Sequence, residues 1–181
     1  PGASLTCGEG LRDAVAVASR AHLDEHWGWA SGVALYGYAQ LDHDDFVEAN
    51  LDWAMAHGAA LELGHVNQLA PGWVWLDGYA RTGEPGQLAA AEAMAEHFVQ
   101  THPRGVGGAW LHAGEGVWVD TMFMAGPYLA ELSRLGGDPR WRDEAMLQLE
   151  AHAALLWDAE AALFVHGVAD GHEGDAAPAP G

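Results

Sequence analysis

The sequence predicts an all-α protein built from stacked helical hairpins. Segments with helical periodicity follow one another along the 181 residues, and no alternation of apolar and polar residues of useful length competes with them. A turn motif also recurs, because Gly83-Glu84-Pro85 returns one hairpin later as Gly137-Asp138-Pro139. Repeats of roughly 40 to 55 residues are typical of helical hairpins that stack into an open solenoid or close into an α/α toroid.

Each predicted unit consists of an apolar inner helix, a tight turn and an amphipathic outer helix. Apolar and small residues fill the inner helices, whereas the outer helices carry an apolar stripe beside a polar face. In the turns, glycine ends the inner helix and proline opens the outer one. The predicted helices cover residues 11–22, 32–41, 46–57, 72–81, 87–101, 120–135 and 141–156.

Composition excludes several classes of function. The net charge of −19, with no clustered basic residues, argues against binding to nucleic acid or to an anionic membrane surface. No apolar run reaches the length of a membrane span, and the start of the chain lacks a signal-peptide pattern. We therefore expect a cytoplasmic protein, unless a leader was removed before residue 1. The single cysteine, Cys7, excludes an internal disulfide and any zinc site with several cysteines.

One carboxylate, Asp120, stands out at the start of a predicted inner helix. A tryptophan, a phenylalanine and two methionines lie within four residues of it. Apolar neighbours disfavour the charged form of a carboxyl group, and the pKa of such a group rises toward the range that suits a general acid near neutral pH. The alternative is that Asp120 only caps the helix by accepting a backbone N–H.

The starts of the inner helices carry polar and aromatic side chains instead of simple caps. Residues 27–29, 65–67 and 118–120 hold tryptophan, histidine, asparagine and aspartate, which a toroid would gather at one end. Helix N-termini favour anions, so these starts predict a pocket for a carboxylated ligand. The chain also has nine tryptophans, a residue that often stacks on sugar rings, although burial in a core is its commoner use.

Five motifs together resemble one family. They are residues 32–37 (GVALYG), 82–85 (TGEP), 101–112, 118–127 (WVDTMFMAGP) and 163–167 (LFVHG). In this order they resemble the unsaturated rhamnogalacturonyl hydrolases of glycoside hydrolase family 105, which are similar in reaction to the unsaturated glucuronyl hydrolases of family 88. The resemblance implies a six-hairpin (α/α) toroid, of which residues 1–170 would supply about half as a partial catalytic domain, with 171–181 as a flexible tail.

The resemblance also implies a reaction and a catalytic residue. Enzymes of this kind release a 4,5-unsaturated uronic acid from the non-reducing end of oligosaccharides derived from pectin or rhamnogalacturonan. They hydrate the vinyl ether double bond, and they need no cofactor. The aspartate that matches Asp120 is the general acid and base, which protonates C4 and activates water for C5.

Further positions carry over as substrate-binding residues. His112 and His166 match histidines that contact the sugar or its carboxylate, Met124 would pack on the sugar ring, and Trp29 would stack at the pocket mouth. Without the resemblance, such histidines would be ordinary loop residues, and the methionine and tryptophan would belong to the core.

The chain departs from the family pattern at residues 64–68 and after Asp170. Many members carry a second aspartate where this chain has His65 and Asn67. We expect both residues to bind substrate, although the amide of Asn67 cannot act as a base. After Asp170 the chain has no match to the later family motif that helps to bind the substrate carboxylate.

Two other functions compete with this interpretation. His22, Glu25 and His26 fit the H-x-x-E-H pattern of inverted zinc peptidases, but the sequence offers no obvious third ligand. The chain could instead be a non-catalytic carbohydrate-binding or assembly module. Half a toroid would leave inner-helix residues such as Leu35, Tyr38 and Phe123 facing solvent or a partner, and this exposure predicts self-association.

Overall fold

The predicted series of helices is present in the computed structural model, which describes residues 27–39, 44–112 and 116–169. Its α-helices are α1 (Trp29–Ala39), α2 (Asp44–His57), α3 (Trp73–Thr82), α4 (Pro85–Thr101), α5 (Asp120–Gly136) and α6 (Pro139–Leu156). Short 3₁₀ helices cover Gly58–Ala60, Val66–Gln68, Ala70–Gly72 and Val106–Gly108. The first predicted helix (11–22), Cys7, the zinc-type residues His22, Glu25 and His26, and the tail 171–181 lie outside the described residues.

The helices pack as three hairpins. Helices α1 and α2, α3 and α4, and α5 and α6 pair with one another, while the inner helices α1 and α3, and α3 and α5, are also in contact. This arrangement confirms the predicted all-α class with apolar inner helices and outer partners. The N-terminal parts of the three inner helices lie at a common end of the structure, because Gly32, Trp73 and Met124 line one cavity.

The two recurrent turns have one physical explanation. Gly83 and Gly137 adopt left-handed conformations, with φ of 70° and 76°, and each ends an inner helix. The carboxylates of the following residues, Glu84 and Asp138, accept backbone N–H groups and cap the outer helices. Proline then fills the first helical position, where its missing N–H costs nothing.

The predicted exposure of the inner helices is wrong at two positions. Leu35 and Tyr38 are buried, with 1% and 5% of their surface exposed, because α1 packs against α2 and against the segment Ala70–Gly72. Phe123 is 45% exposed, as expected. Self-association through the exposed inner face stays a prediction.

Two short antiparallel strand pairs, which the sequence did not indicate, involve the segment after α6, and one of them connects that segment to the segment before α5. Strand β1 (Gly116–Trp118) pairs antiparallel with β4 (Gly167–Ala169), and β2 (Trp157–Asp158) pairs with β3 (Leu163–Phe164). The β1–β4 pair aligns Trp118 with Gly167 immediately before Asp120. In the described ranges, no helix is both long and apolar enough to cross a membrane.

Candidate active site

Asp120 is the first residue of α5, and it does not cap the helix. Val119 occupies the N-cap position, and no side chain accepts the first backbone N–H groups there. The Asp120 side chain is 37% exposed, but its Oδ1 is buried and has no hydrogen-bond partner. The capping explanation for this residue is therefore wrong. A buried carboxylate oxygen without a hydrogen-bond partner lowers the stability of the folded protein, so such an atom is often found where a ligand or water binds.

His112 lies beside Asp120 in a closely packed position. Only 4% of the residue is exposed, and its Nδ1 lies 3.8 Å from Oδ1 of Asp120 and 3.3 Å from Oγ1 of Thr121. Its ring stacks on Trp118 with 4.4 Å between centroids and an interplanar angle of 6°. Burial lowers the pKa of His112, and the neighbouring Asp120 carboxylate opposes that shift only in part.

His65 and Asn67 belong to the segment before α3, which contacts α5. His65 caps the 3₁₀ helix Val66–Gln68, because its Nδ1 accepts the backbone N–H of Asn67 at 3.1 Å. Gln68 completes a capping box by accepting the backbone N–H of His65 at 2.9 Å. The His65 ring stands perpendicular to that of His112, 4.6 Å away. Oδ1 of Asn67 is buried without a hydrogen-bond partner.

The β1–β4 pair brings His166 to the other side of Trp118. Their ring centroids are 5.1 Å apart, and the carbonyl of His166 accepts the N–H of Val119 at 2.8 Å. A Cβ at Gly167 would lie 2.8 Å from Cδ1 of Trp118, so the absence of a side chain there lets the indole lie across the strand. Four aromatic rings thus follow one another beside Asp120.

Met124 and Trp29 lie outside this ring series. Met124 is 5% exposed, one helical turn beyond Asp120, and borders an apolar cavity of about 120 Å³ between the inner helices. Trp29 is 54% exposed at the first residue of α1, and within the described residues it has no ring contact with the cluster. The cavity is lined by Gly32, Tyr36, Ala70, Trp73, Phe123, Met124, Pro127 and Tyr128.

Trp118, Thr121 and Gln68 contact the candidate site residues, although the sequence patterns do not point to them individually. Trp118 belongs to the motif at 118–127, and its position two residues before Asp120 is the sequence signal for it. Thr121 and Gln68 act through contacts to His112 and His65. The capping-box spacing indicates Gln68 only if histidine is allowed as the capping residue.

Chemically, the site combines one carboxylate with several hydrogen-bonding side chains and an aromatic wall. Asp120 can exchange a proton with a bound molecule, the imidazoles and the Asn67 amide can bind oxygen atoms, and the rings can pack on a sugar. Within the described part of the chain, no group of three or more His, Cys, Asp or Glu residues is arranged to hold a metal ion.

Three buried histidines predict a loss of stability in mild acid. Burial lowers the pKa of His102, His112 and His152 from the ordinary 6.5, so the folded protein binds their protons less readily than the unfolded chain. Their stabilising contribution is complete above about pH 6.5 and declines as the pH falls below it. The unfolding free energy should therefore decrease as the pH is lowered from 7.5 to 5.5.

One substitution tests this assignment. His152 is fully buried, and its Nδ1 lies 2.7 Å from the Gln148 carbonyl oxygen. We expect His152→Gln to reduce the pH slope of the unfolding free energy. Equal slopes in wild type and His152→Gln would contradict the assignment.

Comparison with known proteins gives a consistent set of similarities. The sequence profile of Glycosyl Hydrolase Family 88 matches residues 11–179. The unsaturated rhamnogalacturonyl hydrolase YesR of Bacillus subtilis is 26% identical over 160 residues, which is 80% of this chain and 46% of the relative.

Solved structures are similar over the same range. The structure of a possible member of the GH105 family from Salmonella enterica serovar Paratyphi A has 30% identity and a TM-score of 0.70, over 81% of this chain and 42% of that one. A corresponding structure from Klebsiella pneumoniae has 22% identity and a TM-score of 0.75, over 93% and 54%. The chain thus spans about half the length of the relatives it matches.

Proposed function

Because the chain belongs to Glycosyl Hydrolase Family 88, we propose that Asp120 and its neighbours form the acid–base site of a glycoside hydrolase. The proposed substrate is an oligosaccharide from pectin or rhamnogalacturonan that carries a 4,5-unsaturated uronic acid at its non-reducing end. The observation that carries the proposal is the buried Oδ1 of Asp120, which has no hydrogen-bond partner and lies 3.8 Å from His112.

In the proposed reaction, the carboxyl group of Asp120 protonates C4 of the double bond. A water molecule then adds to C5 and gives a proton back to the carboxylate of Asp120. The resulting hemiketal opens and the neighbouring sugar is released. Asp120 lies in the first turn of α5, where the helix N-terminus favours a negatively charged group.

The residues around Asp120 are proposed to bind and orient the sugar. Trp118 and His112 form a flat stacked wall on which a ring can pack. His65 and His166 flank that wall, and Asn67 presents a buried oxygen that can accept a hydrogen bond from a sugar hydroxyl or from water. Met124 and Trp29 remain proposed contacts, Met124 through the neighbouring apolar cavity and Trp29 through its exposed indole.

Asn67→Ala should weaken substrate binding without changing the shape of the pH profile. The amide contributes a hydrogen-bonding oxygen but does not titrate, so its loss removes an interaction and no ionisation. Steady-state rates of the full-length protein from pH 5 to 8 test this, with Asn67→Asp as the companion variant. If the pH–rate profile of Asn67→Ala lacks an ionisation that the wild-type profile shows, Asn67 takes part in proton transfer through its neighbours.

Two disaccharides test the proposed function against the binding-module alternative. One carries a 4,5-unsaturated uronic acid, and the other carries the saturated acid in the same linkage. We expect the full-length protein to release sugar from the first and not from the second. Binding of both without release would support a non-catalytic carbohydrate-binding module and overturn the proposal.

A further inference from the structure

Thr121 is a fully buried residue whose hydroxyl is directed at the imidazole of His112. It is the second residue of α5, it is 0% exposed, and its Oγ1 lies 3.3 Å from Nδ1 of His112. A threonine hydroxyl in a helix often donates to a backbone carbonyl of the preceding turn. Here, among the described residues, His112 is the one hydrogen-bond partner that the structure shows for this hydroxyl.

Only one placement of the protons leaves both the Thr121 hydroxyl and Nδ1 of His112 paired. If Nδ1 of His112 carried the ring proton, the Thr121 oxygen would accept it, and the buried hydroxyl proton would have no acceptor in the described part of the chain. If the hydroxyl donates to Nδ1, both groups are paired and the ring proton lies on Nε2. Asp120 does not reverse this choice, because its Oδ1 is 3.8 Å from Nδ1, beyond hydrogen-bond distance.

The rings around His112 prevent it from turning to another arrangement. Trp118 covers one face of the imidazole at a centroid distance of 4.4 Å, and His65 meets it at right angles at 4.6 Å. Nδ1 is therefore held toward Thr121, on the side where Asp120 lies. Nε2 is left as the ring nitrogen without a partner among the described residues.

We propose that Thr121 is a positioning residue that donates its hydroxyl proton to Nδ1 of His112 and so fixes this imidazole as the Nε2–H tautomer. His112 then presents an N–H donor to an oxygen of the bound sugar, either the carboxylate or a hydroxyl group. The role toward substrate rests on the proposed function. The tautomer itself is a property of the protein and does not depend on that function.

Two substitutions separate the hydroxyl from the shape of the side chain. Thr121→Val keeps the volume and removes the hydroxyl, whereas Thr121→Ser keeps the hydroxyl and removes a methyl group. In protein labelled with ¹⁵N-histidine, we expect His112 of the wild type and of Thr121→Ser to carry the proton on Nε2 at pH 7.5. Thr121→Val should give a mixture of tautomers.

Kinetics of the full-length protein supply the second readout. With the unsaturated disaccharide, we expect Thr121→Val to raise KM by about tenfold, because one hydrogen bond to the substrate is weakened. Thr121→Ser should have the KM of the wild type. A general loss of stability would instead lower the amount of active protein, and so the apparent kcat, without raising KM.

Several results would overturn the inference. A wild-type His112 with its proton on Nδ1 would do so alone, even if Thr121→Val fails to fold. An unchanged tautomer in a folded Thr121→Val variant would do so as well. If the expected tautomers are found but the wild type does not turn over the disaccharide, the proposed function fails and the assignment of the Thr121 hydrogen bond stands.

Discussion

Asp120→Asn is expected to lower the rate of sugar release from a 4,5-unsaturated disaccharide by about 10² to 10⁴-fold. The amide has nearly the shape of the carboxyl group but can neither deliver its proton nor recover one from water. The folded structure should hardly change, because the Asp120 side chain neither caps α5 nor has a hydrogen-bond partner at Oδ1. Initial rates and the unfolding midpoint of the full-length protein measure the two effects.

An exposed carboxylate gives the matched control. Asp143 on α6 is 66% exposed and forms an ion pair with Arg142, so Asp143→Asn should keep the wild-type rate. An Asp120→Asn variant that stays within about threefold of wild type would remove Asp120 from the acid–base role.

Gly32→Ala should cause a much larger loss of stability than the other glycine-to-alanine substitution in α1. A Cβ at this position would lie 2.4 Å from Cβ and 2.5 Å from the backbone carbon of Ala70, and 2.8 Å from the nitrogen of Pro71. Because two of these atoms belong to backbone, rotation of a side chain cannot relieve the overlap. We expect a decrease in unfolding free energy of about 3 kcal/mol, at the upper end of the usual cost of overpacking.

Gly37, in the same helix, is the control for this substitution. A Cβ there would meet nothing within 4 Å, and alanine favours a helix interior over glycine. Gly37→Ala should therefore raise the unfolding free energy by about 0.5 to 1 kcal/mol. Chemical denaturation of both variants measures the difference, and equal stabilities would contradict the close contact between α1 and residues 70–71.

Helical periodicity and turn chemistry were sufficient to predict the hairpins. The glycine, acid and proline at 83–85 and 137–139 each perform a local task, so the sequence alone indicates where one helix ends and the next begins. For the six helices that the structure describes, the boundaries differ from the predicted ones by a few residues at most. Local signals of this kind act over one or two turns and need no knowledge of the rest of the chain.

Contacts between distant segments were harder to predict. Trp118 lies between His112 and His166 only because β1 pairs with β4, and two or three residues are too few to show strand periodicity. The burial of Leu35 and Tyr38 likewise depends on the segment that follows residue 69, which approaches α1 because Gly32 has no side chain. Such packing is decided by tertiary structure, on which helical periodicity carries no information.

Hydration of a double bond at the Asp120 site can be tested directly by one measurement. The ultraviolet absorbance of the 4,5-unsaturated disaccharide and the release of the neighbouring sugar should be followed in the same reaction with the full-length protein. Hydration through Asp120 predicts that the absorbance disappears in step with sugar release, and that both stop in Asp120→Asn. Release of sugar while the absorbance persists would mean displacement at the anomeric carbon, and it would contradict hydration through Asp120.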